Sequence, residues 1–270
     1  MNIDTFMYFN EEDLLRIRLR EHDSFIDKFV ITELNQTHSG ISKSQSFDID
    51  KYKEFKDKIV YKFVDYNLIN QHKNIVSYNK SQNLVSNKSH WERENFQRNY
   101  IQIILQSLNI QDSDNILSSD LDEILDEKSF LTCASSIEGN KCPIFQIPVA
   151  KVKQRHRYLK INLIAKDFGY GPRVMKYGLY KKVDPSLLRE YNVGFVACEG
   201  GWHFSYLSKD KKNVFTKIKS FSHAYQQEDV VNEDDAFRKV EKLIDHKEDV
   251  DQTYPKEIIK NKELYLKYIA

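Results

Sequence analysis

The chain has 270 residues, of which 13% are aromatic and 40% belong to the AVILMFWYC set. That is enough for the core of one large α/β domain, and it excludes a disordered chain. With 41 Lys and Arg against 40 Asp and Glu, the net charge is near +1, which excludes a global field for nucleic acid or an acidic membrane. Three cysteines, Cys133, Cys142 and Cys198, form no Cys-x-x-Cys pair, so we expect buried thiols in a reducing, cytoplasmic compartment and neither a disulfide framework nor a zinc site.

No apolar stretch approaches the 18 residues of a membrane span, and Met1-Asn2-Ile3-Asp4 has no basic leader; neither a transmembrane helix nor a signal peptide is expected. In chain order, Ile3–Phe9 predicts a first strand. Asn10 is placed to cap a helix over Glu11–Glu21, answered by Asp13. Leu15–Arg20 also alternates as a strand would, but the cap and the acidic first turn decide for helix. Phe29–Glu33 and Ile59–Val64 predict two further strands, and strands alternating with helices favour a mostly parallel sheet. Thr37–Ser46 reads as a loop. Asn67–Lys88, polar and long, reads as a lid or binding loop.

Ser89-His90-Trp91-Glu92 has the pattern of a capping box. The helix that it opens carries Phe96, Tyr100, Ile103, Ile104 and Leu108 on one stripe and delivers the chain into a strand at Asn115. Asp126–Ile137 predicts a helix stopped at Gly139, and Ile144–Val149 a strand. Lys151–Arg157 holds five basic residues in seven if His156 is counted, which suits a protected sheet edge or an anion-binding surface. Tyr158–Ile164 predicts a strand, Gly169–Pro172 a turn, and Val193–Tyr206 strand-like residues around Gly200-Gly201. From Asp210 the pattern turns helical, with Asn232 as a cap, Ala236, Val240, Leu243 and Ile244 as a stripe, and Pro255 at a helix start. We expect one α/β domain over 1–230 and a helical C-terminal segment, 231–270, packed on it.

The chemistry concentrates at Asn115–Glu123. There an apolar run ends in Asp120, Asp122 and Glu123, three carboxylates within four residues. In open α/β sheets ligands bind at the carboxyl ends of strands. Carboxylates gathered there repel one another unless a cation joins them, and a hard divalent ion with oxygen ligands is the simplest one. Asp-x-Asp also occurs at Asp48/Asp50, Asp112/Asp114 and Asp249/Asp251; only Asp120/Asp122 directly follows an apolar run. Mg²⁺ or Mn²⁺ at Asp120 and Asp122, facing the diphosphate of a sugar nucleotide, is the central expectation.

Other residues fit around such a site. The guanidinium groups of Arg93 and Arg98 match phosphate geometry, or else belong to an ordinary solvated helix face. Trp202 and His203 follow two glycines and offer a flat apolar face to a sugar ring, such as an acceptor's, or to a base, or else are a core indole beside a bonded imidazole. His223 could complete a metal shell, or be an ordinary surface or core histidine. Dehydrogenase, P-loop, hydrolase-elbow and nucleic-acid signatures are missing.

Several segments together resemble one family. Phe9-Asn10-Glu11-Glu12-Asp13-Leu14-Leu15-Arg16-Ile17-Arg18-Leu19 is similar to the opening motif of glycosyltransferase family 17, the β-1,4-mannosyl-glycoprotein β-1,4-N-acetylglucosaminyltransferase-like proteins. Phe29–Glu33 with Thr37, Gly40 and Lys43, Trp91–Glu94 with Gln97–Asn99, Ser119–Ile124, Gly201–Ser205 and Lys217–His223 resemble later blocks, in family order over about 215 residues. The resemblance implies a GT-A-like fold, a UDP-linked or other nucleotide-sugar donor, N-acetylglucosamine transfer to a glycan acceptor, and inversion at the anomeric carbon. It carries Asp120 and Asp122 over as metal and donor-phosphate residues and makes Trp202, His203 and His223 site candidates. Phe9, Asn10 and Glu11 would sit by the base or ribose, with Glu33 lining the same pocket. Glu199 and then Glu123 are the candidate bases for the acceptor hydroxyl. Lys43 is followed by Ser44-Gln45 where the family often has Pro-Leu, and Tyr225 stands where an acid often follows Ser-His. A metal-dependent nucleotide phosphohydrolase and a non-catalytic sugar-binding protein are the alternative readings.

Overall fold

A computed structural model describes residues 1–72, 88–138 and 147–270. Its strands are β1 (Asn2–Met7), β2 (Lys28–Leu34), β3 (Ile59–Val64), β4 (Asn115–Ser118), β5 (Glu123–Ile124), β6 (Ala150–Tyr158), β7 (Leu163–Gly169), β8 (Arg173–Lys176), β9 (Phe195–Glu199), β10 (Trp202–Ser205) and β11 (Ile244–Lys247). The helices are α1 (Glu12–His22), α2 (Lys88–Gln106), α3 (Glu127–Ser136), α4 (Tyr177–Tyr180), α5 (Pro185–Glu190), α6 (Lys211–Ser220), α7 (Glu233–Glu241), α8 (Lys256–Lys260) and α9 (Lys262–Tyr265).

One sheet runs in the order β11-β7-β6-β8-β4-β1-β2-β3, with β9 and β10 joining at β6 and β5 pairing with β10. The expectation of a mostly parallel sheet is corrected. Among the described residues five strand pairings are parallel and five antiparallel. The block β3-β2-β1-β4 is parallel because helical crossovers connect its strands. Beyond it the links shorten. Residues 159–162 between β6 and β7 can only close a hairpin, since a parallel crossover needs a dozen residues or more.

The parallel block is buried on both faces, as its apolar runs require. Phe6, Phe29 and Ile31 pack toward α1, whereas Ile3, Val30 and Leu34 pack toward Phe96, Ile101 and Leu105 of α2. Side chains alternate sides along a strand, so each strand feeds both clusters. The C-terminal segment folds back onto α1: Tyr268 Oη donates to Asp13 Oδ2 at 2.8 Å and the Lys256 amide to Glu21 Oε2 at 2.8 Å. It is not wholly helical, because β11 pairs with β7. Among the described residues no helix is long and apolar enough to cross a membrane.

Three local expectations change. Asn10 does not cap α1. It takes a left-handed φ of 59° in the turn before the helix, which Asn tolerates better than most residues, and Glu11 stands at the N-cap position without a side-chain bond. Ser89-His90-Trp91-Glu92 lies inside α2, which already includes Lys88. The basic run Lys151–Arg157 belongs to β6, which is no edge: it pairs with β7, β8, β9 and β10. The Asn232 cap forms as expected, accepting from the Asp235 amide, and α3 is capped by Asp126, which accepts from the Ser129 amide. The Gly139 stop, residues 144–146 of the strand expected over Ile144–Val149 and residues 73–87 of the polar loop lie outside the described residues.

Candidate active site

A cavity of about 610 Å³ opens at the carboxyl ends of β1 and β4. Its wall comes from distant parts of the chain: Phe9 and Glu11 after β1, Glu94 and Arg98 of α2, Asp120 and Asp122 after β4, Arg189 and Glu190 of α5, His203 of β10, and Lys217 of α6.

The acid turn is shaped from beneath by Arg18 of α1, which is fully buried. Its Nη1 donates to the carbonyls of Asp120 (2.7 Å), Leu121 (3.2 Å) and Glu123 (3.0 Å), and its Nη2 to Ser119 Oγ (2.6 Å). The same guanidinium grips Asp4 of β1 through Nε at 2.8 Å and Nη2 at 2.6 Å. The turn is also closed by the Asp120 amide, which donates to Glu123 Oε2 at 2.8 Å. With its carbonyls tied downward and Leu121 buried, the turn presents both aspartates to the cavity.

Each aspartate already has a cationic partner. Asp120 Oδ1 accepts from Arg98 Nη1 at 2.9 Å and Oδ2 from Arg189 Nη2 at 2.5 Å. Burial alone would raise this carboxyl, but Arg189 and Arg98 outweigh it and hold the group below the usual carboxylate range. Asp122 Oδ2 accepts from Lys217 Nζ at 3.0 Å, and the same ammonium donates to Glu11 Oε1 at 2.8 Å. Burial again opposes ionisation of Asp122, and Lys217 and His203 prevail, so its pKa is lowered. For Glu11 burial wins over Lys217, with Asp122 adding repulsion, and its pKa is raised. His203 Nε2 stands 3.7 Å from Asp122 Oδ1; burial lowers its pKa despite the nearby acids, so the imidazole is neutral near pH 7.

The fold separates the remaining candidates. Phe9 lines the cavity with its ring 6.0 Å from that of Phe221. His223 lines it too, edge-on to Trp91 at 4.6 Å and hydrogen-bonded to Gln226. Glu123 lies just behind the wall, both oxygens taken by Arg189 at 2.7 and 2.9 Å. Glu33 is buried and holds the 43–47 loop, accepting from Ser46 Oγ (2.6 Å), the Phe47 amide (3.1 Å) and Tyr61 Oη (2.7 Å), and pairing with Lys43. Arg93 braces the neighbouring loop through Gln36 Oε1 and the His38 carbonyl. Trp202 is a core residue with Nε1 donating to Thr253 O at 3.2 Å. Glu199 is exposed on β9 beside Lys153. Asn10, Glu33, Arg93, Glu123, Trp202 and Glu199 are therefore not part of the cavity wall.

A divalent ion can be tested against these donors. Among the described residues, no three His, Cys, Asp or Glu side chains converge on a point that would hold one. An ion shared with a diphosphate needs only one or two protein carboxylates, because phosphate oxygens complete the shell. Asp122 Oδ1 and the neutral His203 Nε2, 3.7 Å apart, fit one edge of such an ion. Asp120 has both oxygens committed to guanidinium groups.

Arg18, Arg189 and Lys217 escape the reading of the sequence. Arg18 leaves a signal: within α1 it follows the buried Leu14 and Leu15 at helical spacing, so its side chain must enter the core. Lys217 stands in one of the recognised blocks with nothing to mark its partners. Nothing adjacent to Arg189 announces it.

Residues 2–133 match the model of glycosyltransferase family 17. The match takes in Asp120, Asp122 and α2 and ends before Arg189, His203 and Lys217. No curated protein and no solved structure matches the chain.

Proposed function

From the match of residues 2–133 to glycosyltransferase family 17 we propose that the chain is a glycosyltransferase taking a nucleotide-sugar donor and a glycan acceptor, that the donor is a UDP-sugar with N-acetylglucosamine as the sugar, and that its diphosphate seats on the Asp120–Asp122 turn. The observation that carries this reading is the interleaving of charge in the cavity: two aspartates at a strand's carboxyl end, set among Arg98, Arg189 and Lys217. In this reading the parallel block β3-β2-β1-β4 is the nucleotide-binding half of a GT-A-like fold.

Phe9 and Phe221 offer aromatic faces for the base. Asp122, with His203, would hold Mn²⁺ or Mg²⁺, which supplies Lewis-acid neutralisation of the diphosphate when bound. Arg98 and Arg189 orient that diphosphate and stabilise the negative charge that grows on it as the bond to the anomeric carbon breaks. Glu123 acts as a positioning residue, keeping Arg189 against Asp120. An inverting transfer also needs a base for the acceptor hydroxyl. Glu190 is the lining carboxylate exposed to solvent, where an acceptor would enter, and we assign it that role ahead of Glu199, which stands outside the wall.

The test is a thermal-shift screen of UDP- and GDP-sugars with and without Mn²⁺, followed by product analysis. A ligand that binds only the folded chain raises its melting temperature. The expected result is a UDP-sugar hit, with UDP released only when a glycan acceptor is present. Phosphate or free sugar released at full rate without acceptor would replace this reading by hydrolysis, and sugar binding without turnover would replace it by a binding protein.

A further inference from the structure

Lys217 occupies an unusual place for an ammonium group. It is largely buried, held between Glu11 at 2.8 Å and Asp122 at 3.0 Å, and flanked by the rings of Tyr206 at 5.6 Å and Phe221 at 5.3 Å. It therefore neutralises the carboxylate that a divalent ion would need. We infer that Lys217 is a built-in counter-ion that makes cation binding at Asp122 conditional on the donor's diphosphate. The inference rests on the cation reading above and adds an order to it.

The argument is one of charge balance. Glu11, Asp122 and Lys217 together carry a net charge of about −1 when both acids are ionised. A divalent ion added alone would leave excess positive charge in a partly desolvated pocket, against an ammonium already 3.0 Å from the same carboxylate. A diphosphate restores the balance. It also offers new acceptors to Lys217, whose flexible four-carbon stem can carry the ammonium from Asp122 onto a phosphate oxygen. With the ammonium gone from Oδ2, the full charge of the Asp122 carboxylate becomes available to the ion on its Oδ1 side. By linkage the effect is reciprocal, so the ion strengthens nucleotide binding by the same factor. Arg98 and Arg189 are poorer candidates for such movement, because each planar guanidinium is fixed as a fork across Asp120 and a second carboxylate, Glu94 or Glu123, whereas an ammonium is a point charge with rotatable donors.

The experiment measures Mn²⁺ binding by the electron paramagnetic resonance signal of free Mn²⁺. Wild type, Lys217→Met and Lys217→Arg are each titrated with and without UDP, with melting curves to establish folding. Wild type is expected to bind Mn²⁺ weakly alone and much more tightly with UDP. Lys217→Met should bind Mn²⁺ alone about tenfold more tightly than wild type, within the 5–150-fold span usual for coupled sites, and should gain less from UDP. Lys217→Arg should resemble wild type. Equal affinities of wild type and Lys217→Met for Mn²⁺ alone would overturn the inference while leaving the cation reading in place. No Mn²⁺ binding by any of the proteins, even with UDP, would overturn both. Should Lys217→Met fail to fold, Lys217→Gln, which removes the same single charge but keeps a polar side chain between Glu11 and Asp122, provides the same comparison.

Discussion

Arg18 and Asp120 are 102 residues apart in sequence, yet Arg18 Nη1 donates to the Asp120 carbonyl at 2.7 Å. Through this bond and its neighbours a helix near the N-terminus fixes the turn that carries both aspartates of the site. Stability and chemistry therefore share one buried guanidinium.

Arg18→Met removes that support. It leaves Asp4 buried with only His22 beside it and frees the carbonyls of Asp120, Leu121 and Glu123. Breaking a buried ion pair from one side costs about 3–5 kcal/mol. Urea denaturation should show a loss of that size. The surviving folded fraction should bind donor poorly, because Asp120 and Asp122 lose their fixed orientation.

The same cluster makes stability depend on pH. The Leu125 amide donates to His22 Nε2 at 3.1 Å, so His22 is the neutral tautomer with its Nδ1 hydrogen on Asp4 Oδ2 at 2.8 Å. Burial, outweighing the pull of Asp4, lowers its pKa in the folded state. The unfolded chain then takes up the proton first, and stability should fall as pH drops below about 6.5. Asp4, whose burial is outweighed by Arg18 and His22, is also lowered, so its share is lost at more acid pH, below about 3.9. Denaturation midpoints measured across this range should show both losses, and His22→Gln should abolish the first.

Asp122→Asn tests the centre of the site. Lys217 keeps Glu11 as a partner in this variant, so the melting temperature should change little. Turnover should fall about 10²–10³-fold, the usual cost of removing one group that stabilises developing charge. Near-normal turnover would remove Asp122 from the mechanism.

Glu190→Gln keeps the size of the side chain and removes its basicity. The kcat should drop about 10²–10⁴-fold, with donor binding unchanged. Glu199→Gln, on the exposed face of β9, should leave kcat near wild type. The reverse pattern would return the role to Glu199.

Gly171 shows how closely Arg189 is held. A Cβ added there would lie 1.6 Å from Glu123 Oε1, so Gly171→Ala must push the Glu123 carboxyl off Arg189. Overpacking of this kind costs about 1–3 kcal/mol. Donor affinity should fall alongside stability, and titration of the variant with the donor nucleotide reads it directly.

By itself the sequence determined the strand–helix alternation of the first half, the acid turn after Asn115–Ser118, the helix carrying Arg98, and the family that these blocks imply. All are local signals, because side-chain periodicity and caps act over a few residues. It misjudged β6 as an edge and the sheet as mostly parallel, since strand order depends on which connections can span and not on any one segment's pattern. Trp202 shows the same limit: beside two glycines it reads equally as sugar platform or core, and only its neighbours, Thr253 and the packed interior, distinguish the two. The tertiary structure alone decided that Arg18, Arg189 and Lys217 converge on Asp120–Glu123. Charges attract through space and not along the chain, so no spacing rule in the sequence could have paired residues that far apart.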